Sequence, residues 1–121
     1  MTVLVWVGVV LIGGAGSVLR FVVDGVVASR RKREFPYGTM VINISGALVL
    51  GLLAGLALGG RASLLAGTAA VGSYTTFSTW MFESERLAEE RRPQAAAVNM
   101  VLSLVFGVSA AAIGRMIGGD L

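Results

Sequence analysis

Four uncharged stretches, each about as long as a bilayer is thick, constrain the fold of this chain more than any other feature. They contain 19, 26, 21 and 21 residues and cover 1–19, 35–60, 62–82 and 94–114. A helix needs about 20 apolar residues to cross the hydrocarbon core of a membrane. The sequence therefore predicts an all-α membrane protein, with one four-helix transmembrane domain over 1–121 and spans at about 2–27, 36–59, 62–84 and 94–117.

The scarcity of charge also indicates lipid as the surrounding solvent. Charged residues make up 14% of the chain and hydrophobic residues 55%, whereas soluble domains carry about 25% charged residues. The sequence has no Cys and no His, which removes disulfides, thiolate metal sites and the usual catalytic bases. We therefore do not expect an enzyme, and no catalytic residue is predicted.

The basic residues predict how the helices are oriented. Loops 1–2 and 3–4 lie on one side of the membrane and hold seven Lys/Arg residues: Arg30, Arg31, Lys32, Arg33, Arg86, Arg91 and Arg92. The other side holds Arg61 and Arg115. Cytoplasmic loops are enriched in Lys and Arg, so both loops are predicted inside the cell membrane and both termini outside. Because the basic run 30–33 lies directly against two spans, we favour this role over nucleic-acid binding, and no nucleic-acid partner is expected.

Glycines spaced by four predict close helix packing, because this spacing places them on one helix face. Such a row is Gly51, Gly55 and Gly59 in helix two. The small residues of helix four, Gly107, Ala111, Gly114 and Gly118, and the cluster 13–17 of helix one have a similar role.

Polar side chains within the spans need partners, because unpaired polar groups are costly in lipid. Asn43 lies in helix two, and Asn99 and Ser103 lie four residues apart in helix four. Two interpretations are open for these residues: hydrogen bonds between helices, or the lining of a hydrophilic path.

The middle of helix three carries the most informative segment, Gly72-Ser-Tyr-Thr-Thr-Phe-Ser-Thr-Trp80. Gly and hydroxyl residues weaken a helix. A break here would expose carbonyls that bind a cation, and two chains meeting at it would double the ligands. A continuous helix with back-bonded hydroxyls is the alternative. Phe77 and Trp80 share a face and either pack or turn their positive ring edges toward an anion.

Three charged residues lie near the ends of spans. Arg20 and Asp24 are spaced to pair, or else they reach the headgroups. Glu83 ends span three and is the acid nearest the polar segment.

At these residues the chain resembles the Fluc (CrcB) family of small fluoride channels. The resemblance covers almost the whole chain and rests on four motifs in order: Gly13-Gly-Ala-Gly-Ser-Val-Leu-Arg20, Phe35-Pro-Tyr-Gly-Thr-Met-Val-Ile-Asn43 with Gly46, Gly72-Ser-Tyr-Thr-Thr-Phe-Ser-Thr79 with Glu83, and Ser103 with Gly107 and Gly114.

The resemblance implies an antiparallel dimer with helix three broken near its middle, two pores and a central structural sodium ion that is not transported. The implied activity is passive fluoride export, which limits fluoride toxicity. The implied sodium ligands are the backbone carbonyls of Gly72 and Thr75, and Arg20 and Glu83 are the structural charged residues. The implied anion pathway comprises Asn43, Phe77, Ser78, Thr79, Trp80 and Ser103.

Two positions depart from the family pattern. Trp80 stands where the pattern has a second Phe, and Asn99 stands where it has an aromatic hydroxyl. The charge bias of seven to two also favours a single orientation in the membrane. We therefore expect a related, non-identical second subunit in the opposite orientation, with a homodimer as the alternative. The rival functions are a proton-coupled multidrug-type exporter, which needs a membrane-embedded carboxylate, and a non-transporting membrane scaffold.

Overall fold

The computed structural model describes residues 2–30, 35–57 and 59–121, apart from the side chains of 28–30 and 61, and this part contains helices and no strand. Residues 31–34, which hold most of the basic run predicted to be cytoplasmic, lie outside the described residues. The helices are α1 (Val3–Arg30), α2 (Tyr37–Leu56), α3 (Gly60–Ser63), a π-helix (Leu64–Val71), α4 (Gly72–Tyr74), α5 (Phe77–Glu89) and α6 (Pro93–Asp120). The α3 helix, the π-helix and α4 are continuous, and we call them the 60–74 segment.

Local sequence accounts for the helix ends. Pro36 immediately precedes α2, and Pro93 is the first residue of α6, where the missing N–H of proline costs no helical hydrogen bond. At the end of α2, Ala57 takes a left-handed conformation with φ 53° and donates its N–H to the carbonyl of Ala54. This conformation stops the helix.

Three helices of the described chain are long and apolar enough to cross a membrane: Val3–Val27, Tyr37–Leu56 and Pro93–Asp120. Many of their large apolar side chains are exposed, including Leu4 at 80% and Phe21 at 79%. This exposure suits a multi-pass protein in lipid. The predicted span 62–84 corresponds to the 60–74 segment followed by α5, with Thr75 and Thr76 between them.

Glycine contacts pair the helices as parallel neighbours. A methyl group built on Gly114 would overlap the carbonyl oxygen of Leu48, and one built on Gly118 would overlap that of Leu52. Residue numbers rise together along both helices, so α2 and α6 run in the same direction. This direction is the one expected of the second and fourth of four alternating spans.

A second parallel pair forms between α1 and the 60–74 segment. A methyl group on Gly16 would lie 2.6 Å from the carbonyl oxygen of Ala70, and one on Gly8 would lie 3.2 Å from Leu65. A methyl group on Gly59 or Gly107 would meet no described atom of this chain within 4 Å, so neither glycine packs against another helix within the described part of the chain.

Candidate functional site

An open groove of about 680 Å³ runs along one side of the helices. It is bordered by α2, the 60–74 segment, the start of α5 and α6. Small residues form much of its wall, among them Gly46, Gly67 and Gly107. Of the ten site residues predicted from sequence, six line the groove: Asn43, Gly72, Thr75, Phe77, Trp80 and Ser103.

At the groove, two residues in extended conformation separate α4 from α5. Thr75 has φ −80° and ψ 160°, and Thr76 has φ −150° and ψ 117°. The side chain of Asn43 holds Thr76 by two hydrogen bonds of 2.8 Å. Its Nδ2 donates to the carbonyl of Thr76, and its Oδ1 accepts from the N–H of Thr76. One side chain of α2 therefore supplies the partner that the N–H of Thr76 lacks at the break, and it also bonds to the carbonyl.

Thr76 also caps α5, although it was not among the predicted site residues. Its Oγ1 accepts from the N–H of Thr79 at 3.3 Å, as a threonine at an N-cap does. Its hydroxyl donates to Oγ1 of Thr79 at 3.2 Å and lies 3.4 Å from Oγ of Ser78. Ser78 and Thr79 therefore lie beside the break without lining the groove.

Backbone carbonyls lose their helical partners at this break, those of Gly72 and Thr75 among them. In a continuous helix, Gly72 would accept from the N–H of Thr76, and Thr75 would accept from the N–H of Thr79. Those amides donate instead to Asn43 and to the Thr76 hydroxyl. Because Gly72 and Thr75 line the groove, their carbonyl oxygens are suited to binding a cation there. In the described chain, no cluster of three or more acidic side chains is placed to hold a metal ion.

The first turn of α5 carries an aromatic pair. The rings of Phe77 and Trp80 meet edge to face, with centroids 5.6 Å apart and planes at 83°. Phe77 is 69% exposed, whereas Trp80 is half-buried. The indole N–H of Trp80 donates to the backbone carbonyl of Asn99 at 3.3 Å. Phe77 is therefore the more exposed of the two rings at the groove, and the indole N–H of Trp80 is bonded to α6.

A hydrogen-bonded chain joins α5 to α6 behind Trp80. Oγ of Ser84 donates to the carbonyl of Trp80 at 2.9 Å, and Nδ2 of Asn99 donates to that Oγ at 2.9 Å. Ser103 donates to Oδ1 of Asn99 at 3.5 Å. For Asn99, which is fully buried, the structure selects interhelical hydrogen bonding from the two interpretations. Sequence reasoning missed Ser84, although its spacing of four from Trp80 was a signal for back-bonding.

The two predicted charged residues lie away from the groove lining. Glu83 pairs with Arg86 at 3.0 Å, and Arg86 also pairs with Glu90 at 3.0 Å. The hydrogen bond with Glu83 is the largest cause raising the pKa of Arg86. Arg20 is a half-buried residue of α1. No ion pair joins its described side chain to that of Asp24.

Asp24 instead lies at the beginning of α2. A methyl group on Gly38 would overlap Oδ1 of Asp24, so the carboxylate rests against the first turn of that helix. A negative charge is favourable beside the amide groups at a helix N-terminus.

Comparison with known proteins assigns the chain to a family. The family model described as "CrcB-like protein, Camphor Resistance (CrcB)" matches residues 7–115. The chain is 65% identical over 116 residues to the Fluoride-specific ion channel FluC 2 of Mycolicibacterium paratuberculosis, covering 96% of this chain and 95% of that protein.

Two further relatives agree with this assignment. The FluC 2 protein of Mycobacterium bovis is 59% identical over 117 residues, covering 97% of this chain and 93% of the relative. The Fluoride-specific ion channel FluC 1 of Leifsonia xyli subsp. xyli is 45% identical over 125 residues, covering 98% and 90%. The chain belongs to the CrcB family.

Proposed function

We propose that the chain is a subunit of a fluoride-selective channel in the cell membrane, which lets fluoride leave the cell passively and so limits its toxicity. The observation that carries the proposal is the 65% identity, over 96% of this chain, to a protein named as a fluoride-specific ion channel. The groove supports it, because one surface combines amide, hydroxyl and aromatic groups with small residues.

The anion path follows the groove wall near the start of α5. Phe77 offers an exposed ring edge, whose positive partial charge attracts an anion. Ser103 contributes a hydroxyl, and Asn43 fixes the break beside it. Ser78 and Thr79 extend the polar surface at the first turn of α5. These groups would replace part of the water that fluoride loses on entering the membrane.

A second four-helix subunit in the opposite orientation covers the groove. Two observations support this arrangement. Gly67 and Gly107 border the groove and permit close approach of another helix. Gly72 and Thr75 line the same groove, and lipid tails could not replace the helical amides that their carbonyls lack. Two subunits meeting here would enclose two paths.

The same surface fits a structural sodium ion at the subunit boundary. The carbonyls of Gly72 and Thr75 lack their helical amides, and carbonyl oxygens are suitable ligands for this cation. Two chains would contribute four such oxygens. Bound there, sodium would neutralise carbonyl dipoles that converge from both subunits.

The opposite subunit is a related, non-identical chain, and a homodimer is the alternative. The support is the bias of seven Lys/Arg residues in loops 1–2 and 3–4 against two on the other side. This bias favours insertion with both loops in the cytoplasm and both termini outside. Relatives of this chain bear the names FluC 1 and FluC 2, a numbering that suits paired subunits.

The test is fluoride efflux from liposomes, measured with a fluoride electrode. The purified chain is reconstituted alone and together with a FluC 1-type chain from the same cell. We expect rapid fluoride release with the pair, no chloride release and no dependence on a proton gradient. Proton-dependent release would instead support the multidrug-type exporter, and absence of release from every reconstitution would support a scaffold.

Orientation is measured separately by the accessibility of a terminal tag in cells. We expect the tag on one side only when the chain is expressed alone. Equal populations of both orientations, with efflux from the lone chain, would contradict the non-identical partner and leave the channel function intact.

A further inference from the structure

The polar end of Trp80 is engaged by the protein itself. Its indole N–H donates to the backbone carbonyl of Asn99 at 3.3 Å, across the α5–α6 contact. Because Trp80 also lines the groove, an anion there meets hydrogens bound to ring carbons, while the N–H points to α6. An N–H group is a much stronger hydrogen-bond donor than an aromatic C–H group. The direction of this N–H therefore matters for how tightly an anion is held.

Two buried side chains at the α5–α6 contact hold the indole in this orientation. Ser84 is 5% exposed and Asn99 is 0% exposed. Oγ of Ser84 donates to the carbonyl of Trp80 and accepts from Nδ2 of Asn99, both at 2.9 Å. Asn99 is thus joined to the turn of α5 that carries Trp80 by its side chain and to the indole by its backbone. The two contacts fix the distance between α5 and α6 at the level of the ring.

We propose that Ser84 and Asn99 are positioning residues, which hold Trp80 by its indole N–H so that fluoride passes a carbon-bound ring edge. This proposal rests on the proposed channel function. Without the Ser84–Asn99 bond, the helices shift and the N–H of Trp80 becomes available to the groove. Fluoride then binds the N–H and leaves slowly, because conduction requires binding weak enough for release.

The test begins with Trp6→Phe, because Trp6 and Trp80 are the two tryptophans of the chain. In this background, Ser84→Ala is expected to move Trp80 emission to longer wavelength and to increase quenching by acrylamide. Fluoride flux in liposomes, in the subunit composition that supports flux, is expected to fall about fivefold, the scale of one buried hydrogen bond. Ser17→Ala is the matched control, since Ser17 bonds back to the carbonyl of Gly13 on α1.

Asn99→Leu provides a second variant with little change in volume. It removes the donor to Ser84 without leaving an unpaired amide, and it is expected to move emission and flux in the same directions. Equal elution of all variants on size exclusion shows that they remain folded.

A double-mutant comparison separates positioning from general stability. We expect Ser84→Ala to slow flux much less in a Trp80→Phe background, where no indole N–H can be released. An equal slowing in both backgrounds, or Trp80 emission unaffected by Ser84→Ala, would overturn the proposal. If the parent chain carries no fluoride flux, the channel function fails, and the emission comparison still decides whether Ser84 positions Trp80.

Discussion

Substitution of Asn43 by alanine tests the backbone break most directly. Asn43 makes both of its described hydrogen bonds to the backbone of Thr76, each at 2.8 Å. Asn43→Ala removes these bonds and leaves the N–H of Thr76 without a partner. The N–H can then return to the carbonyl of Gly72, as in a continuous helix. That relaxation would bond the Gly72 carbonyl within the helix, so it would no longer be free to bind a cation.

The expected magnitude follows from the number of groups affected. Leaving one buried backbone group unsatisfied costs about 1–3 kcal/mol. After the substitution the N–H of Thr76 has no partner in the broken conformation, whereas it bonds to Gly72 in a continuous helix, so the break is destabilised by about 2 kcal/mol relative to the helix, or roughly 30-fold in its population. We expect fluoride flux to fall by a similar factor if the extended conformation of Thr75 and Thr76 is the conducting one.

Initial rates of fluoride efflux from liposomes measure this effect, with Ser45→Ala as the control. Ser45 also lies on α2 and contacts the hydroxyl of Tyr74 at 2.9 Å, but it does not touch the break. We expect less than a twofold change for this control. Normal flux in Asn43→Ala, or an equal loss in Ser45→Ala, would refute the reasoning.

Three further predictions concern packing and cation binding. Gly114→Ala should destabilise the chain by about 1–3 kcal/mol, because the added methyl meets the backbone of Leu48. Gly14→Ala is the control and should not destabilise it, because its methyl would meet no described atom within 4 Å. Unfolding in mixed micelles measures both variants, and equal stability would contradict the contact. Gly107→Ala should leave the fold of the single chain intact and weaken subunit assembly, as measured by cross-linking in liposomes; undiminished assembly would place the interface elsewhere. Replacement of sodium by N-methylglucamine should lower the thermal stability of the assembled protein, and an unchanged melting temperature in both salts would count against the sodium site.

The glycine rows show what a sequence pattern can and cannot predict. Spacing by four correctly indicated that Gly114 and Gly118 face a neighbouring helix. The same set of small residues includes Gly107, which borders the groove instead. Periodicity assigns residues to a face of a helix but does not say how far along that face the neighbour extends. That extent depends on how α2 and α6 lie relative to each other.

The sequence pattern also does not predict which residues the polar side chains bond to. Asn99 was predicted to need a partner because an unpaired amide is costly in lipid. Its partner, Ser84, is set by the register between α5 and α6 across the turn at residues 90–92. Likewise, the sequence predicts Asn43 as a polar site residue but does not give its partner. Asn43 and Thr76 are 33 residues apart and meet only in the folded chain.

The backbone break at Thr75 and Thr76 and the groove beside it both need a partner that lipid cannot provide. Extended backbone at Thr75 and Thr76 releases carbonyls of the preceding turn, and lipid tails offer them no hydrogen bond. Asn43 satisfies Thr76 from within the chain, whereas Gly72 and Thr75, whose carbonyls lack their helical amides, line the groove. Glycines line the same surface. A glycine has no side chain to bury in lipid, but it lets another helix approach its backbone closely. We therefore expect that whatever covers the groove must supply both a close backbone approach and a cation or water. A second subunit meets both requirements, and a lipid meets neither.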